Sequence, residues 1–176
     1  NLEKKTGQAD KRACYVLLGQ GPTGVYKTYK AEKYRHAVGH ADIAALGADR
    51  MVRIGTYGDG AAVPSYIWDS LLSESIGHTA YTHQSANCAT SFDGSRYMVS
   101  VDSEQAARAA WSQGYRTFRV IASVNELASE EILCPASKEA GRRTQCASCK
   151  LCGGASVKAK SIAIVAHGAG ARHFGA

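Results

Sequence analysis

The chain has 176 residues, and 45% of them are hydrophobic, which is enough apolar material for one domain with its own core. Its 21 Lys and Arg residues exceed its 15 Asp and Glu residues by a formal charge of +6, a mild excess that is compatible with a polyanionic partner. No stretch approaches the length of a membrane-spanning helix, and the polar start NLEKKTGQADKR lacks the apolar centre of a signal peptide. We therefore expect a single domain over residues 1–176, located in the cytoplasm.

Two elements are expected before residue 51. The stretch ACYVLLG (13–19) is a candidate strand, and GVYKTYKAEKYRHA (24–37) has the pattern of a helix. The helix combines basic side chains with Tyr26, Tyr29 and Tyr34, the mixture that contacts to a nucleic-acid backbone and stacking on bases would use. A solvated amphipathic helix explains the same pattern.

From residue 51 onward the chain alternates β-branched runs with helical stretches. This alternation indicates βα units and a mostly parallel sheet. The expected strands cover 51–57, 78–83, 96–101, 116–122 and 161–167, and the expected helices cover 65–76 and 103–113, the second capped by Asp102 or Ser103. The predicted fold class is α/β, with a sheet of about five or six strands in a partial or compressed (β/α) barrel. A cysteine-rich metal-binding segment (134–152) is inserted before the last strand.

Polar residues follow the carboxyl ends of the predicted strands, which is where parallel βα folds bind their ligands. They are Tyr57, Asp59, Thr82, His83, Gln84, Asp102, Ser103, Ser123, Asn125 and His167. Each alone is explained by a turn, a helix cap or a loop histidine. Together at one rim they predict a catalytic pocket lined by Asp59, His83, Asp102 and His167, with the histidines as proton donors or acceptors near neutral pH.

Four of the six cysteines lie within residues 134–152. Cys146, Cys149 and Cys152 are evenly spaced, as in proteins that place three thiolates around one iron–sulfur cubane, and Cys134 lies upstream as a fourth ligand. In a reducing compartment clustered cysteines bind metal more often than they form disulfides. We predict a [4Fe-4S] cluster on these four cysteines. A four-thiolate zinc site is the main alternative, and disulfides or free thiols are the weakest.

The surroundings of the cysteines bear on what the centre does. Lys138, Arg142 and Arg143 would offset the negative charge of a thiolate-bound cluster. The connection from the fourth predicted strand to the last is long enough to need stabilisation of its own, which favours a structural staple. A catalytic cluster would instead lie near the rim of His83 and His167. Cys14 and Cys88 lack such spacing, and we treat them as buried or free thiols.

Four stretches of the chain carry a resemblance to a known group of proteins. They are RIGTYGDGAAVP (53–64), HTAYTHQ (78–84), MVSVDSEQAARAAWSQGYRTFRV (98–120) and CPASKEAGRRTQCASCKLCGG (134–154). Together they resemble uncharacterised bacteriophage and prophage proteins similar to the phage gene-product-88 family, over roughly residues 13–173. Members resemble radical-SAM proteins in carrying a cysteine-rich N-terminal stretch, whereas here that stretch holds only Cys14. The resemblance implies an iron–sulfur protein in the host cytoplasm and names no reaction.

These observations predict a phage-type iron–sulfur α/β protein, an enzyme or a degenerate enzyme that acts on a nucleotide or a nucleic acid. The alternative is a non-enzymatic module, stapled by a [4Fe-4S] cluster or by zinc, that binds nucleic acid or protein through residues 26–36. A structural assembly protein is a third reading. We expect no membrane partner.

Overall fold

The computed structural model describes residues 21–86, 92–168, 171 and 174. The chain divides into two compact units, one made of residues up to His36 together with those from Val165 onward, the other of Ala37–Ile164. The smaller unit contains helix α1 (Gly21–Lys30), which begins and ends earlier than the predicted helix 24–37. The predicted strand 13–19 and Cys14 lie outside the described residues. The single domain over residues 1–176 stays a prediction.

The larger unit is built on a parallel sheet of six strands. Its order is β1-β2-β3-β4-β6-β5, where the strands are β1 (Met51–Ile54), β2 (Gly77–Thr82), β3 (Met98–Val101), β4 (Thr117–Ile121), β5 (Glu131–Leu133) and β6 (Ser161–Val165). The prediction of an α/β fold with a mostly parallel sheet is confirmed. The sheet is open, with β1 and β5 at its edges, so closure into a barrel is not confirmed.

The strand ends differ from the predicted ones for local reasons. β1 stops at Ile54 because Gly55 turns the chain with a φ of 72°, and a Cβ on Gly55 would lie 2.8 Å from the Gly58 carbonyl oxygen. β5 was not predicted, because three residues that begin with a glutamate do not show a strand pattern.

The remaining helices of the larger unit are α2 (Gly39–Gly47), α3 (Ser65–Leu72), α4 (Glu104–Trp111) and the single turn α5 (Cys146–Cys149). α2 was not predicted, and it packs closely on α3, since a Cβ on Gly47 would lie 1.9 Å from the Leu71 carbonyl oxygen. α4 begins after Ser103, whose hydroxyl accepts a hydrogen bond from the Ala106 amide at 3.2 Å. Of the two predicted caps, Ser103 is therefore the one used.

Both faces of the sheet are covered by apolar side chains. On one face, Val99 and Val101 of β3 pack with Ala107 and Ala110 of α4. On the other face, a second cluster is formed by Met98, Ile162 and Cys152, with Tyr81, Phe118, Ile132, Cys134 and Leu151 packed against it. Since neighbouring residues of a strand point to opposite faces, the sheet separates α4 from the cysteines.

Strand order explains why the cysteine segment lies opposite α4. From β1 to β4, and on to β5, the chain moves across the sheet in one direction, whereas β5 to β6 moves back by one strand. Parallel crossovers are right-handed, so a connection that reverses direction must pass over the other face. Residues 134–160 form this reversed crossover and cover the face opposite α4.

Candidate metal centre

Cys134 directly follows β5 and is held by the sheet. Its amide donates to the Ala163 carbonyl of β6 at 2.7 Å, and the Ser137 amide donates to the Cys134 carbonyl at 2.8 Å. The amides of Ala136 and Ser137 also hydrogen-bond to the Cys134 sulfur. Burial raises the pKa of this thiol, while the two amide donors act in the opposite direction, as donors to a thiolate do. The CPAS turn thus forms a small amide cradle around one sulfur.

Cys146 and Cys149 lie on the single helical turn α5. They are three residues apart in a helix, so both side chains leave from the same side of the turn. The turn ends at Lys150, which has a left-handed φ of 55° and whose amide donates to the Cys146 carbonyl at 3.1 Å. The Lys150 ammonium reaches the Ile76 carbonyl at 2.8 Å, which fastens the turn beside the start of β2.

Cys152 is the buried member of the set. Its carbonyl accepts a hydrogen bond from the Ala80 amide of β2 at 3.1 Å, and its side chain packs against Met98 and Ile162. The Tyr81 hydroxyl donates a hydrogen bond to its sulfur. Burial raises the pKa of Cys152 to about 11, against the opposing effect of the Tyr81 bond, and burial also raises the pKa of Tyr81 above its ordinary value.

The four cysteines are gathered on one face of the sheet. Cys134 and Cys152 belong to one hydrophobic cluster, and the charges of Cys146 and Cys149 raise the pKa of both. All four thiols are free. Within the described part of the chain, no three His, Cys, Asp or Glu side chains are arranged as ligands of one metal ion. The crossover therefore brings the thiols into one neighbourhood and does not place them at ligand geometry.

Arg116, which the sequence did not single out, fastens the segment to the sheet. Its side chain is 7% exposed and donates to the carbonyls of Leu151 at 2.8 Å, Gly154 at 2.9 Å and Lys160 at 2.6 Å. Gly154 is equally confined, because a Cβ at that position would lie 2.5 Å from the Ser95 carbonyl oxygen. Burial lowers the pKa of Arg116, and the charge of Cys152 opposes this.

Two buried polar atoms beside the cysteines fit a thiolate-bound metal. The hydroxyl oxygen of Ser137 and the Nε of Arg116 are buried without a hydrogen-bond partner in the described part of the chain. Both are donors that the sulfur atoms of a metal centre would satisfy. Four thiols are also the donor set that iron–sulfur clusters and structural zinc share. The chemistry of the donors present therefore fits such a centre, and metal binding would have to draw the four sulfur atoms together. The basic side chains within the segment are exposed, namely Lys138, Arg142 and Arg143. The buried positive charge next to the cysteines is that of Arg116.

Asp59 and His83 of the predicted rim are brought together. One oxygen of the Asp59 carboxylate accepts from the Ala61 amide at 3.0 Å, and the other from the Thr82 hydroxyl at 2.9 Å and the His83 amide at 3.1 Å. The carboxylate thus ties the loop after β1 to the end of β2. Its hydrogen bonds are those of a structural turn residue.

The other predicted rim residues are distributed differently. The exposed His83 side chain borders a shallow hollow of about 290 Å³ against α4, with Ser85, Gln113 and Tyr115. Asp102 is exposed just before the Ser103 cap. His167 belongs to the smaller unit, where its Nδ1 lies 3.1 Å from the Val165 carbonyl.

Four further rim residues have local contacts or an exposed side chain. Tyr57 is exposed, the Gln84 amide donates to the Thr82 hydroxyl, and Ser123 caps a short turn by accepting from the Asn125 amide.

The hollow at His83 and the cysteines lie on opposite faces of the sheet. Val99 and Val101 line the hollow. Met98 precedes Val99 in β3 and therefore points to the other face, where it packs with Tyr81 against the cysteines. The sheet thus stands between the two sites.

The basic segment of the smaller unit, residues 21–36, has no buried residue, and most of its residues are exposed. α1 has no buried residue, and the side chains of Tyr26 and Tyr29 are 62% and 66% exposed. A shallow hollow of about 200 Å³ follows, lined by Tyr29, Lys30, Glu32, Tyr34 and His36. Aromatic and basic side chains therefore share one solvent-facing surface.

Comparisons with protein families, with curated proteins and with solved structures found no match to this chain. Among the described residues no helix is long and apolar enough to cross a membrane.

Proposed function

We propose that this protein is a phage-type iron–sulfur protein whose [4Fe-4S] cluster, bound by Cys134, Cys146, Cys149 and Cys152, staples the β5–β6 crossover to the sheet. The observation that supports this most directly is the gathering of all four thiols on one face, in a crossover that has little regular structure of its own. Closing the thiols around a metal would link the end of β5, α5 and the segment beside β2.

A structural role is favoured over a catalytic one by the position of the cysteines. The sheet lies between them and the hollow at His83, and the Asp59 carboxylate already accepts three hydrogen bonds. An enzymatic step on a nucleotide at this rim would have to use the exposed His83 and Asp102 without a nearby metal. We therefore favour a non-enzymatic module with a structural metal centre over an enzyme that acts on a nucleotide.

The metal is tested by purifying the protein without oxygen. We expect a brown sample with broad absorbance near about 400 nm, from thiolate-to-iron charge transfer, and about four irons per chain. A colourless protein with one zinc per chain would replace the cluster by the zinc alternative and keep the staple. A folded protein that contains neither iron nor zinc would contradict both the cluster and the zinc site.

A second function is favoured by the exposed surface of residues 21–36. Lys27, Lys30 and Lys33 lie among exposed tyrosines, and this combination suits the phosphates and bases of a single-stranded nucleic acid. We propose nucleic-acid binding at this surface. Salt-dependent binding of a single-stranded oligonucleotide, without turnover, is the result expected of a binding module.

A further inference from the structure

Two buried arginines belong to the region of β4: Arg116 directly precedes the strand and Arg119 lies within it. Their hydrogen-bond partners differ. Arg119 is 3% exposed, and its guanidinium forms an ion pair with the buried Glu131 carboxylate, with Nε 2.8 Å from Oε1. Arg116 is 7% exposed, and its hydrogen bonds to the described residues go to main-chain carbonyls. The two residues are three positions apart in an extended stretch of chain, so their side chains point to opposite faces of the sheet.

The charge of Arg116 has no compensating carboxylate among the described residues. There, ion pairs join Arg96, Arg108 and Arg119 to carboxylates, and none joins Arg116. A guanidinium keeps its proton in proteins, so the full charge is taken out of water, which is unfavourable unless an opposite charge is close. The three carbonyl dipoles supply part of that compensation. The Nε of Arg116 finds no acceptor in the described ranges.

The cysteine segment is the source of negative charge next to Arg116. The guanidinium bonds the carbonyls of Leu151 and Gly154, which flank Cys152 on both sides. Protonated thiols carry no charge. Four thiolates around a metal do, because their summed negative charge exceeds the positive charge of a [4Fe-4S] core or of Zn²⁺.

We propose that Arg116 is the internal counter-charge of the four-cysteine centre. It holds the ligand segment through three carbonyls and neutralises part of the negative charge that the centre brings into the domain. This inference rests on the proposed metal centre and does not depend on whether the metal is iron or zinc. The role expected of Lys138, Arg142 and Arg143 thus belongs to Arg116, a buried arginine directly before β4.

The experiment compares Arg116→Lys with Arg116→Gln. Both variants lose the fork that reaches three carbonyls, but only the Lys variant keeps the charge. In competition with a chelator, we expect the Gln variant to bind the metal about tenfold more weakly than wild type and the Lys variant to stay close to wild type. If the metal is a cluster, the Gln variant should also be harder to reduce, and a tenfold change in that equilibrium is about 59 mV for one electron.

Arg119→Gln and Arg119→Lys are the matched controls, because Arg119 is equally buried and pairs with Glu131 on the other face. They should lower the free energy of unfolding and leave metal affinity and potential unchanged. Equal losses of metal in Arg116→Lys and Arg116→Gln would overturn the counter-charge and leave only a packing role. If Arg116→Gln does not fold, Arg116→Lys decides, since wild-type affinity supports the counter-charge and a tenfold loss contradicts it.

The outcome for wild type separates this inference from the proposed function. A wild-type protein that binds no metal contradicts the proposed centre itself. If wild type binds metal and Arg116→Lys and Arg116→Gln lose metal equally, the counter-charge alone is contradicted and the proposed centre stands.

Discussion

The Arg119 guanidinium and the Glu131 carboxylate pair across β6, joining β4 to the edge strand β5. The contact is bidentate, and the Glu131 side chain is fully buried. Glu131 also accepts from the Ala128 amide at 3.1 Å, and Arg119 donates to the Glu126 carbonyl at 2.8 Å. The pair therefore fixes both the edge strand and the loop that leads into it.

Removing one member of this pair should destabilise the domain strongly. Glu131→Gln leaves the Arg119 charge buried without its partner, and the expected loss is about 3 to 5 kcal/mol in the free energy of unfolding. Denaturant unfolding followed by circular dichroism measures it. Glu130→Gln is the control, because Glu130 is exposed and its ion pair with Arg108 is screened by water, so this substitution should change the free energy of unfolding far less. Equal effects of the two substitutions would show that the buried pair is not a main support of β5.

The buried arginines at β4 also show why part of the structure was predictable and part was not. The pattern of β-branched runs and the Ser103 cap depend on neighbouring residues, so the sequence reveals them. Burial of Arg116 and of Glu131 depends on strands brought together from distant parts of the chain. In sequence both look like ordinary surface charges.

The face of the sheet on which the cysteines lie is not readable from the sequence, for a related reason. Their spacing is local and marked them as a metal site, but their face of the sheet follows from the strand order. That order includes β5 (Glu131–Leu133), which is too short to be recognised. Without β5 both a position near the rim of His83 and one on the outer surface stay open, whereas the return from β5 to β6 takes the connection over the face opposite α4.

Replacing a cysteine tests the staple. Cys149→Ser should abolish metal binding and raise amide hydrogen exchange in residues 134–160, while β1 to β4 keep their protection, because only the crossover depends on the metal. Metal analysis and hydrogen exchange of the same samples measure both effects. Cys88→Ser removes a thiol outside the segment and should change neither. Loss of metal with unchanged exchange in 134–160 would show that the centre does not support the crossover.

Gly154 should tolerate no side chain. Gly154→Ala places a Cβ 2.5 Å from main-chain atoms of Ser95 and Arg96, at a φ of 71°. We expect a loss well above the roughly 1 to 2 kcal/mol that a left-handed conformation alone costs. Gly141→Ala separates the two causes, since Gly141 has a φ of 65° and a Cβ added there would have no described atom within 4 Å. Thermal unfolding that shifts equally in both variants would mean that the close approach of residue 154 to the chain before β3 is unimportant.

The stability of the larger unit should fall in mild acid because of His78. Burial lowers the pKa of His78 below its ordinary 6.5, and the Arg96 charge acts in the same direction, while the hydrogen bond to the Arg96 carbonyl at 3.1 Å and the Asp93 charge oppose it. The unfolded chain then binds the proton more readily, so stability is full above pH 6.5 and decreases as the pH falls toward the folded-state pKa. His78→Gln should flatten this dependence between about pH 7 and 5. A steep acid loss in His78→Gln would assign it to other groups.

The surface of residues 21–36 gives the last prediction, which concerns single-stranded nucleic acid. Tyr26 and Tyr29 are three residues apart on α1 and expose most of their rings, so bases can stack on them, while Lys27 and Lys30 are placed to contact phosphates. We expect fluorescence anisotropy to show binding of a labelled single-stranded oligonucleotide that weakens as salt is raised.

The substitutions of this surface separate stacking from charge. Tyr26→Ala and Tyr29→Ala should each cost about 1 to 3 kcal/mol of binding free energy with the salt dependence unchanged, because stacking is lost and phosphate contacts are kept. Lys27→Gln and Lys30→Gln should instead reduce the salt dependence. Tyr66→Ala, which removes another exposed tyrosine in the larger unit, is the control and should bind as wild type does. Equal weakening by all three tyrosine substitutions, or binding that does not respond to salt, would exclude this surface as the nucleic-acid site and leave a protein partner as the occupant to test.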